Sequence, residues 1–318
     1  MVVFMSLKSK VLEELEKNKD MDISGEFLAE KLGVSRNAVW KAVNSMRAEG
    51  YEISSGTNKG YKLEHNDIIS SEGIKLHLTC GEIPVFAFKV TDSTNNEAKR
   101  MLANGFCGKA IIVSEEQTAG RGRQGRSFYS PAKTGIYMTL IINLETNLTN
   151  AALVTTMVAV SVVRAIKALT DKEPEIKWVN DIYLKGKKIC GILTEGFSAF
   201  ESGTSSVIVG IGINFNTHIF PEEIENIAAS LNSSGINRNK LIAEITNNLI
   251  ALTNAIECKD YLDEYRSYSM IIGRKINYLK NGETKEGEAV GIDDDGGLVV
   301  NSDGETKVLR SGEVKLIL

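Results

Sequence analysis

The sequence predicts an α+β protein built from three units, and three observations predict it. Residues 1–66 carry three stretches of helical periodicity followed by a short alternating hairpin. From 67 to 270, β-rich runs alternate with longer helical ones. From 271 to 318 only short strands remain, separated by turn dipeptides. At 318 residues the chain has length for two or three domains and a well-buried core.

In the first unit Lys8 to Asn18 is amphipathic. Ser24 is placed to cap a second helix running through Leu32, Gly33 to turn the chain, and Ser35 to cap a third helix that stops at Gly50. Two helices joined by so short a turn form a helix-turn-helix. Leu28, Ala29, Leu32, Val34, Val39 and Val43 make the packed face, which leaves Ser35, Arg36, Asn37, Trp40, Lys41 and Asn44 as a candidate DNA-recognition face. Tyr51–Ser54 and Gly60–Leu63 alternate around 55–59, so the unit ends in a two-stranded wing and reads as a winged helix-turn-helix. Residues 1 to 64 hold ten cations and ten anions, yet from Lys31 to Glu64 the count is six against three, so positive charge is segregated toward the DNA-facing half. With a whole-chain formal charge of −4, nucleic-acid binding has to be local. A protein-interaction module is the alternative for a small helical unit of this kind.

In the middle unit 86–90, Ala110 to Ser114, Ile136 to Asn143, Ile176 to Trp178, Lys188 to Glu195 and Ser206 to Asn214 are β-rich, while Asn95 to Asn104, Asn150 to Thr170 and Arg238 to Ile256 are helical in pattern. This predicts a mixed or antiparallel sheet covered by helices. In the last unit Asn281-Gly282, the run from Asp293 to Gly297, and Ser302-Asp303-Gly304 punctuate strands of a small β-barrel.

Several function classes are disfavoured. Cys80, Cys107, Cys190 and Cys258 are far apart with no C-x-x-C, as expected of reduced thiols in a cytoplasmic protein. His65, His77 and His218 have no metal-ligand spacing, which argues against a zinc site and a Ser-His-Asp hydrolase alike. The apolar tract from Ala151 to Val163 is interrupted by Thr155, Thr156 and Ser161 and closed by Arg164; it reads as a buried helix, with no membrane partner expected.

The stretch TAGRGRQGRS, Thr118 to Ser127, fits both G-x-G-x-x-G and a near P-loop with Arg126 in place of Lys. Both patterns require a helix immediately afterwards, and Pro131 and Gly135 break one here. What remains is a glycine-rich loop with Arg121, Arg123 and Arg126 crowded together, whose forked donors match carboxylate and phosphate oxygens. Such a loop is expected to be mobile when empty and ordered by a polyanion. Three more polar clusters sit at strand ends: Asp92-Ser-Thr-Asn95, Lys177-Trp-Val-Asn-Asp181 and Gly210-Ile-Gly-Ile-Asn214. A half-buried ammonium at Lys177 calls for an anion. Asn180 and Asp181 can hold the turn or a Mg²⁺-bound phosphate, and the alternating glycines of the last cluster permit close approach of a flat ligand.

Together DSTN, EEQTAGRGRQGRSFYSP, KWVND followed by KGKKICGIL, and GIGINFN resemble the bifunctional biotin-protein ligases that also serve as the biotin operon repressor. The similarity covers essentially the whole chain. It implies a winged helix-turn-helix, a central mixed-sheet ligase domain of class II synthetase-like fold, and a C-terminal SH3-like β-barrel. Ser93, Thr94, Asn95 and Gln117 match biotin-pocket positions; Arg121, Gly122 and Arg123 match the loop that closes on biotin and the adenylate; Lys177 matches the lysine at the acyl-phosphate. Asn180, Gly191, Gly210 and Gly212 complete the implied ligand-binding set, with Lys177 and Arg123 catalytic and Asp181 the magnesium ligand. Val179 stands where the family usually has Pro, so the turn loses a fixed φ but keeps its polar residues.

The resemblance implies biotin, ATP and Mg²⁺ as ligands. It implies a biotin carboxyl carrier protein of acetyl-CoA carboxylase and operator DNA as partners, and a homodimer once biotinyl-5′-AMP is bound. The arginine loop would then be a lid that neutralises phosphate and excludes water from an activated acid. Two alternatives stand beside this reading: a lipoate-type ligase, and a repressor that binds biotin without ligating it.

Overall fold

A computed structural model describes residues 6–18, 21–56, 59–64, 67–143, 151–198, 205–233, 235–256, 258–280 and 282–317. Helices α1 (Leu7–Lys17), α2 (Gly25–Leu32) and α3 (Arg36–Ala48) start where short polar residues satisfy otherwise unpaired amides. The Ser6, Ser24 and Ser35 side chains accept from Ser9, Phe27 and Ala38 N–H respectively. Gly33 ends α2 in the left-handed region at φ 65°, as the predicted turn requires. Strands β1 (Ile53–Gly56) and β2 (Gly60–Leu63) form the wing, and Ile23 bridges to Tyr61 on its inner edge. Leu28, Ala29, Val39 and Val43 are buried with Val11, Leu15, Met46 and Leu63 in a core of their own; Leu32 and Val34 pack at its margin.

The second unit is a mixed seven-stranded sheet. Its order is β3 (Val85–Phe88), β4 (Ala110–Ser114), β5 (Gly135–Asn143), β9 (Ser205–Asn214), β8 (Lys187–Ser198), β7 (Asp181–Leu184) and β6 (Glu175–Lys177). Only β3 and β4 run parallel. Strand alternation sends side chains to two cores. Ala110, Ile112, Ile141 and Ile208 meet α5 (Thr94–Ala103) on one face, while Ile111, Val113, Leu140 and Val209 meet α6 (Ala151–Leu169) and α7 (Arg238–Asn254) on the other. By length and composition α6 could cross a membrane, but 78% of Ala152–Leu169 is buried inside this fold.

Two short helices, α4 (Ser71–Lys75) and α8 (Tyr261–Ser267), and strand β7 were not legible in the sequence. The helices hold five and seven residues, too few for periodicity to declare itself. The K-W-V-N-D turn is real but ends one residue early: Trp178, Val179 and Asn180 turn, the Trp178–Val179 peptide is cis, and Asp181 already opens β7.

The last unit is an antiparallel five-stranded sheet ordered β13 (Glu305–Leu309), β12 (Leu298–Ser302), β11 (Glu283–Ile292), β10 (Arg274–Lys280) and β14 (Val314–Leu316). Its apolar side, including Ile276, Tyr278, Leu298 and Val314, continues the core of the middle unit, and the Trp178 indole N–H donates to Gly296 O at 2.9 Å across the join. The segment that leaves the first unit is fastened to the sheet by an ion cluster, while Ile68 packs on the first unit's core. Arg238, 1% exposed at the start of α7, donates to Asp67 Oδ2, Glu115 Oε2 and Gly135 O at 2.8, 2.8 and 2.9 Å, and also to Asp67 O. Asn239 accepts from Ser70 N–H and donates to Ile68 O. Residues 67–70, leaving the wing, are thereby tied to the sheet.

Candidate active site

All the residues predicted for the ligand site line a single cavity of about 350 Å³. At one end, α5 begins at Ser93, whose side chain is buried but makes no capping bond. The cap comes from elsewhere: Gln117 Oε1 accepts from the Thr94 amide at 2.9 Å and from Thr94 Oγ1 at 3.2 Å, while Gln117 Nε2 donates to Ser130 Oγ. Asn95 is spent inside the protein. Its Nδ2 donates to Glu195 Oε2 at 2.9 Å and Leu193 O at 3.4 Å, and its Oδ1 lies 2.7 Å from the Thr139 hydroxyl. A Cβ at Gly210 would collide with that same Asn95 Oδ1, so this glycine makes room for the wall of the pocket rather than for a ligand.

Glu195, not singled out by the sequence, stands behind the cavity wall, where it accepts from Asn95 and Lys99. Burial pushes its carboxyl up, but hydrogen bonds from Lys99 and Asn95 outweigh burial and leave it below its ordinary value. It holds Lys99 Nζ at 2.7 Å and stands 3.6 Å from Arg121.

The middle of the floor is a row of cross-strand partners. Lys177 pairs with Asp181, Asp181 with Gly191, and Gly191 with Gly212. A flat group does lie on the two glycines, and it belongs to the protein: a Cβ at Gly212 would come within 2.6 Å of the Phe128 ring, and one at Gly191 within 3.4 Å. Lys177 is half-buried with Nζ 5.6 Å above the Tyr183 ring, and burial lowers its pKa, with Asp181 opposing.

A second ammonium, Lys188, reaches the floor, with Nζ 2.8 Å from Asp181 Oδ1 and 3.3 Å from where a Gly191 Cβ would stand. The reason it escaped notice is a bulge. Strict alternation back from Gly191 turns Lys187 inward, but the register shift between Ile182 and Tyr183 pairs Tyr183 with Lys188 and brings Lys188 to the glycine face.

Asp181, expected as the magnesium ligand, lines the cavity beside the two lysines. Its Oδ1 is the counterion of Lys188 and accepts from Asn180 Nδ2 at 3.0 Å, and no group of three His, Cys, Asp or Glu among the described residues could hold a metal.

The arginine loop roofs the cavity. Gly122 N–H donates to Arg126 O and Phe128 N–H to Gly120 O, and the only helical piece is the 3₁₀ turn Arg123–Gly125, so neither phosphate-loop pattern is built. Rather than standing free, each guanidinium rests on an internal acceptor: Arg121 on Asn96 at 3.1 Å, Arg123 on Asn180 at 2.9 Å, and Arg126 on Glu313 at 2.7 Å. The last contact brings the C-terminal sheet to the cavity, where Gly312 to Lys315 form part of the wall, another element not anticipated from sequence. In the first unit Arg36, Asn37, Trp40 and Lys41 are exposed on α3 as predicted, Ser35 caps it, and Asn44 is half-buried.

Comparisons with known proteins agree with this layout. Residues 87–214 match the model of the biotin/lipoate A/B protein ligase family, 8–62 that of an HTH domain, and 271–316 that of the biotin protein ligase C-terminal domain. The chain is 33% identical to the bifunctional ligase/repressor BirA of Bacillus spizizenii over 98% of this chain and 99% of that protein, and 30% identical to that of Escherichia coli over 92% of each. The solved biotin protein ligase from Aquifex aeolicus in complex with biotin and ATP superposes with a TM-score of 0.63 at 28% identity, covering 74% of this chain and 98% of that one. A winged first unit, a cation-lined cavity on a mixed sheet and a C-terminal sheet that reaches its lid, matched in order over nearly the full length of such relatives, place this chain in the family of bifunctional biotin ligase/repressors.

Proposed function

We propose that the protein is an ATP-dependent biotin-protein ligase and a biotin-responsive repressor of biotin genes. Biotin carboxylate attacks the α-phosphorus of ATP, pyrophosphate leaves, and biotinyl-5′-AMP forms. The ε-amine of a lysine on the biotin carboxyl carrier protein of acetyl-CoA carboxylase then attacks the anhydride carbonyl, and AMP leaves. The observation that carries this reading is the cavity itself: an end formed by buried Ser93 and Thr94 with half-buried Gln117, suited to a small polar ring system, and an opposite side bearing Lys177, Lys188 and the three lid arginines, suited to phosphate. No covalent enzyme intermediate is required, since the activated acid only has to be held and kept dry. Mg²⁺ would arrive chelated to the phosphates of ATP, with Asp181 in the same cavity as its candidate protein ligand.

Incubation with biotin, Mg-ATP and a carrier domain should release pyrophosphate and add one biotin to one carrier lysine, read by mass spectrometry. Pyrophosphate release with lipoate alone would point to the sister reaction, and biotin binding without pyrophosphate to a sensor that no longer ligates. Arg123→Ala, which removes the lid contact to Asn180, should speed dissociation of the adenylate without changing the fold. Unaltered release in a stopped-flow chase would refute a lid role.

The DNA half of the proposal rests on the exposed α3 face. A winged helix-turn-helix reads a two-fold site as a dimer, with half-sites roughly 34–36 Å apart or a multiple of it. If the adenylate favours that homodimer, operator affinity rises when biotin and ATP are both present, by a coupling on the order of 1–3 kcal/mol, and operator DNA favours the dimer in return. Arg36→Ala with Lys41→Ala should abolish operator binding and spare ligation. A footprint indifferent to biotin would remove the repressor function. The SH3-like character of the C-terminal sheet, the class II synthetase-like character of the central one and a cytoplasmic location belong to the same proposal.

A further inference from the structure

Arg47 is a cation of the DNA-facing half that the recognition face does not include. Near the end of α3 its guanidinium is engaged on three sides: Nε donates to Ile53 O at 2.8 Å, Nη2 to Ser55 Oγ at 2.9 Å, and Nη1 to Asn44 Oδ1 at 3.3 Å. Two of these acceptors are on β1, the first strand of the wing, and the third is one turn back on α3. Within the hairpin Ser54 bonds to Glu64 and to the Lys62 carbonyl, and Lys62 pairs with Glu64.

We propose that Arg47 is a positioning residue for DNA recognition, a brace that fixes the wing against the recognition helix and sets the outward polarity of Asn44, rather than a phosphate contact. The inference rests on the DNA-binding reading above. A guanidinium suits the task because it is planar and donates in several directions at once, whereas an ammonium offers one point of contact on a flexible stem. Two strands of four residues are too short to hold an orientation by their own pairing. A donor-only group facing Asn44 also requires that the oxygen of that amide face inward, so Asn44 presents its NH₂ to the groove.

The two roles differ in what lysine can replace. A phosphate contact needs charge, and Arg47→Lys keeps it; a brace needs the fork, and Arg47→Lys loses it. Ser55→Ala separates them from the other side, because it removes an acceptor without touching any charge. The probe is a duplex that the wild-type protein selects, with biotin and Mg-ATP present, from a random-sequence library, and the measurement is anisotropy against salt together with hydroxyl-radical footprinting.

As a brace, Arg47→Lys and Arg47→Ala both lose about tenfold or more in affinity, the scale for hydrogen bonds to a charged group. Ser55→Ala loses part of it, and the flanking protection made by the wing fades while that of α3 stays. Ligation by each variant remains at the wild-type rate. Wild-type affinity in Arg47→Lys and in Ser55→Ala, with Arg47→Ala alone lowering the salt slope by about one, would make Arg47 a phosphate contact and overturn the inference. If the wild-type protein selects no duplex, the DNA-binding reading falls, and this inference with it.

Discussion

Lys188→Ala should form adenylate at least about a hundredfold more slowly than the wild type while folding normally, from the roughly 2–4 kcal/mol that one preorganised donor supplies to a developing anion. The sequence singles out Lys177 for this role, because it stands in a recognisable turn. In the structure both ammonium groups line the cavity, but they are not equivalent. Lys188 lies against the glycine floor, whereas Lys177 is drawn to one side over the Tyr183 ring. Lys177→Ala should therefore cost less, about tenfold or below on the same scale.

Because Lys188→Ala also strips Asp181 of its partner, Lys188→Gln is the sharper variant: it can still donate to Asp181 but carries no charge, and should be just as slow. Pyrophosphate release under saturating biotin and ATP is the measurement. Near-normal rates in both Lys188 variants, with a large loss in Lys177→Ala, would return the catalytic assignment to Lys177.

Arg238→Ala should destabilise the protein by about 3–5 kcal/mol, the range for removing one member of a buried ion cluster and leaving its partners without a counter-charge. The guanidinium is almost wholly inaccessible and joins Asp67, Glu115 and Gly135, so both carboxylates lose their counter-charge and, among the described residues, keep only backbone N–H donors, and a carbonyl loses a donor as well. Arg238→Lys should recover little of the loss, because one ammonium cannot span acceptors on three segments. Urea denaturation gives the magnitude, and limited proteolysis should show new cleavage near Asp67, where the first unit is tied down. A protein as stable as the wild type and equally protease-resistant would mean that the apolar contacts of α1 and α4 carry the junction instead.

Much of the architecture was readable because the signals are local. Ser24, Gly33 and Ser35 mark helix ends by satisfying or turning nearby backbone, and their effect does not depend on distant residues. Short β-rich runs at Ala110–Ser114 and 206–214 placed two central strands almost to the residue, the first of them buried along its whole length. The four polar clusters of the cavity were legible for a related reason: each lies at or beside a strand end, where polar residues in an otherwise apolar run stand out.

What the sequence determined by itself is the order of the three units, their periodicities, and four of the polar clusters gathered at the ligand cavity, though not Lys188 or the wall from Gly312 to Lys315. What only the tertiary structure decided is how those residues are used. Asn95 is fixed in the cavity wall by Glu195, a hundred positions away, which accepts from its amide. The arginines of the lid are held by Asn96, Asn180 and Glu313, each on a different segment, where the sequence shows only three like charges in one loop. Asp181 becomes a counterion because a one-residue bulge in β8 rotates Lys188 onto its face. Local propensities act within a few residues, whereas hydrogen-bond partners and strand register are settled by long-range pairing, where a shift of one position exchanges the two faces of a sheet.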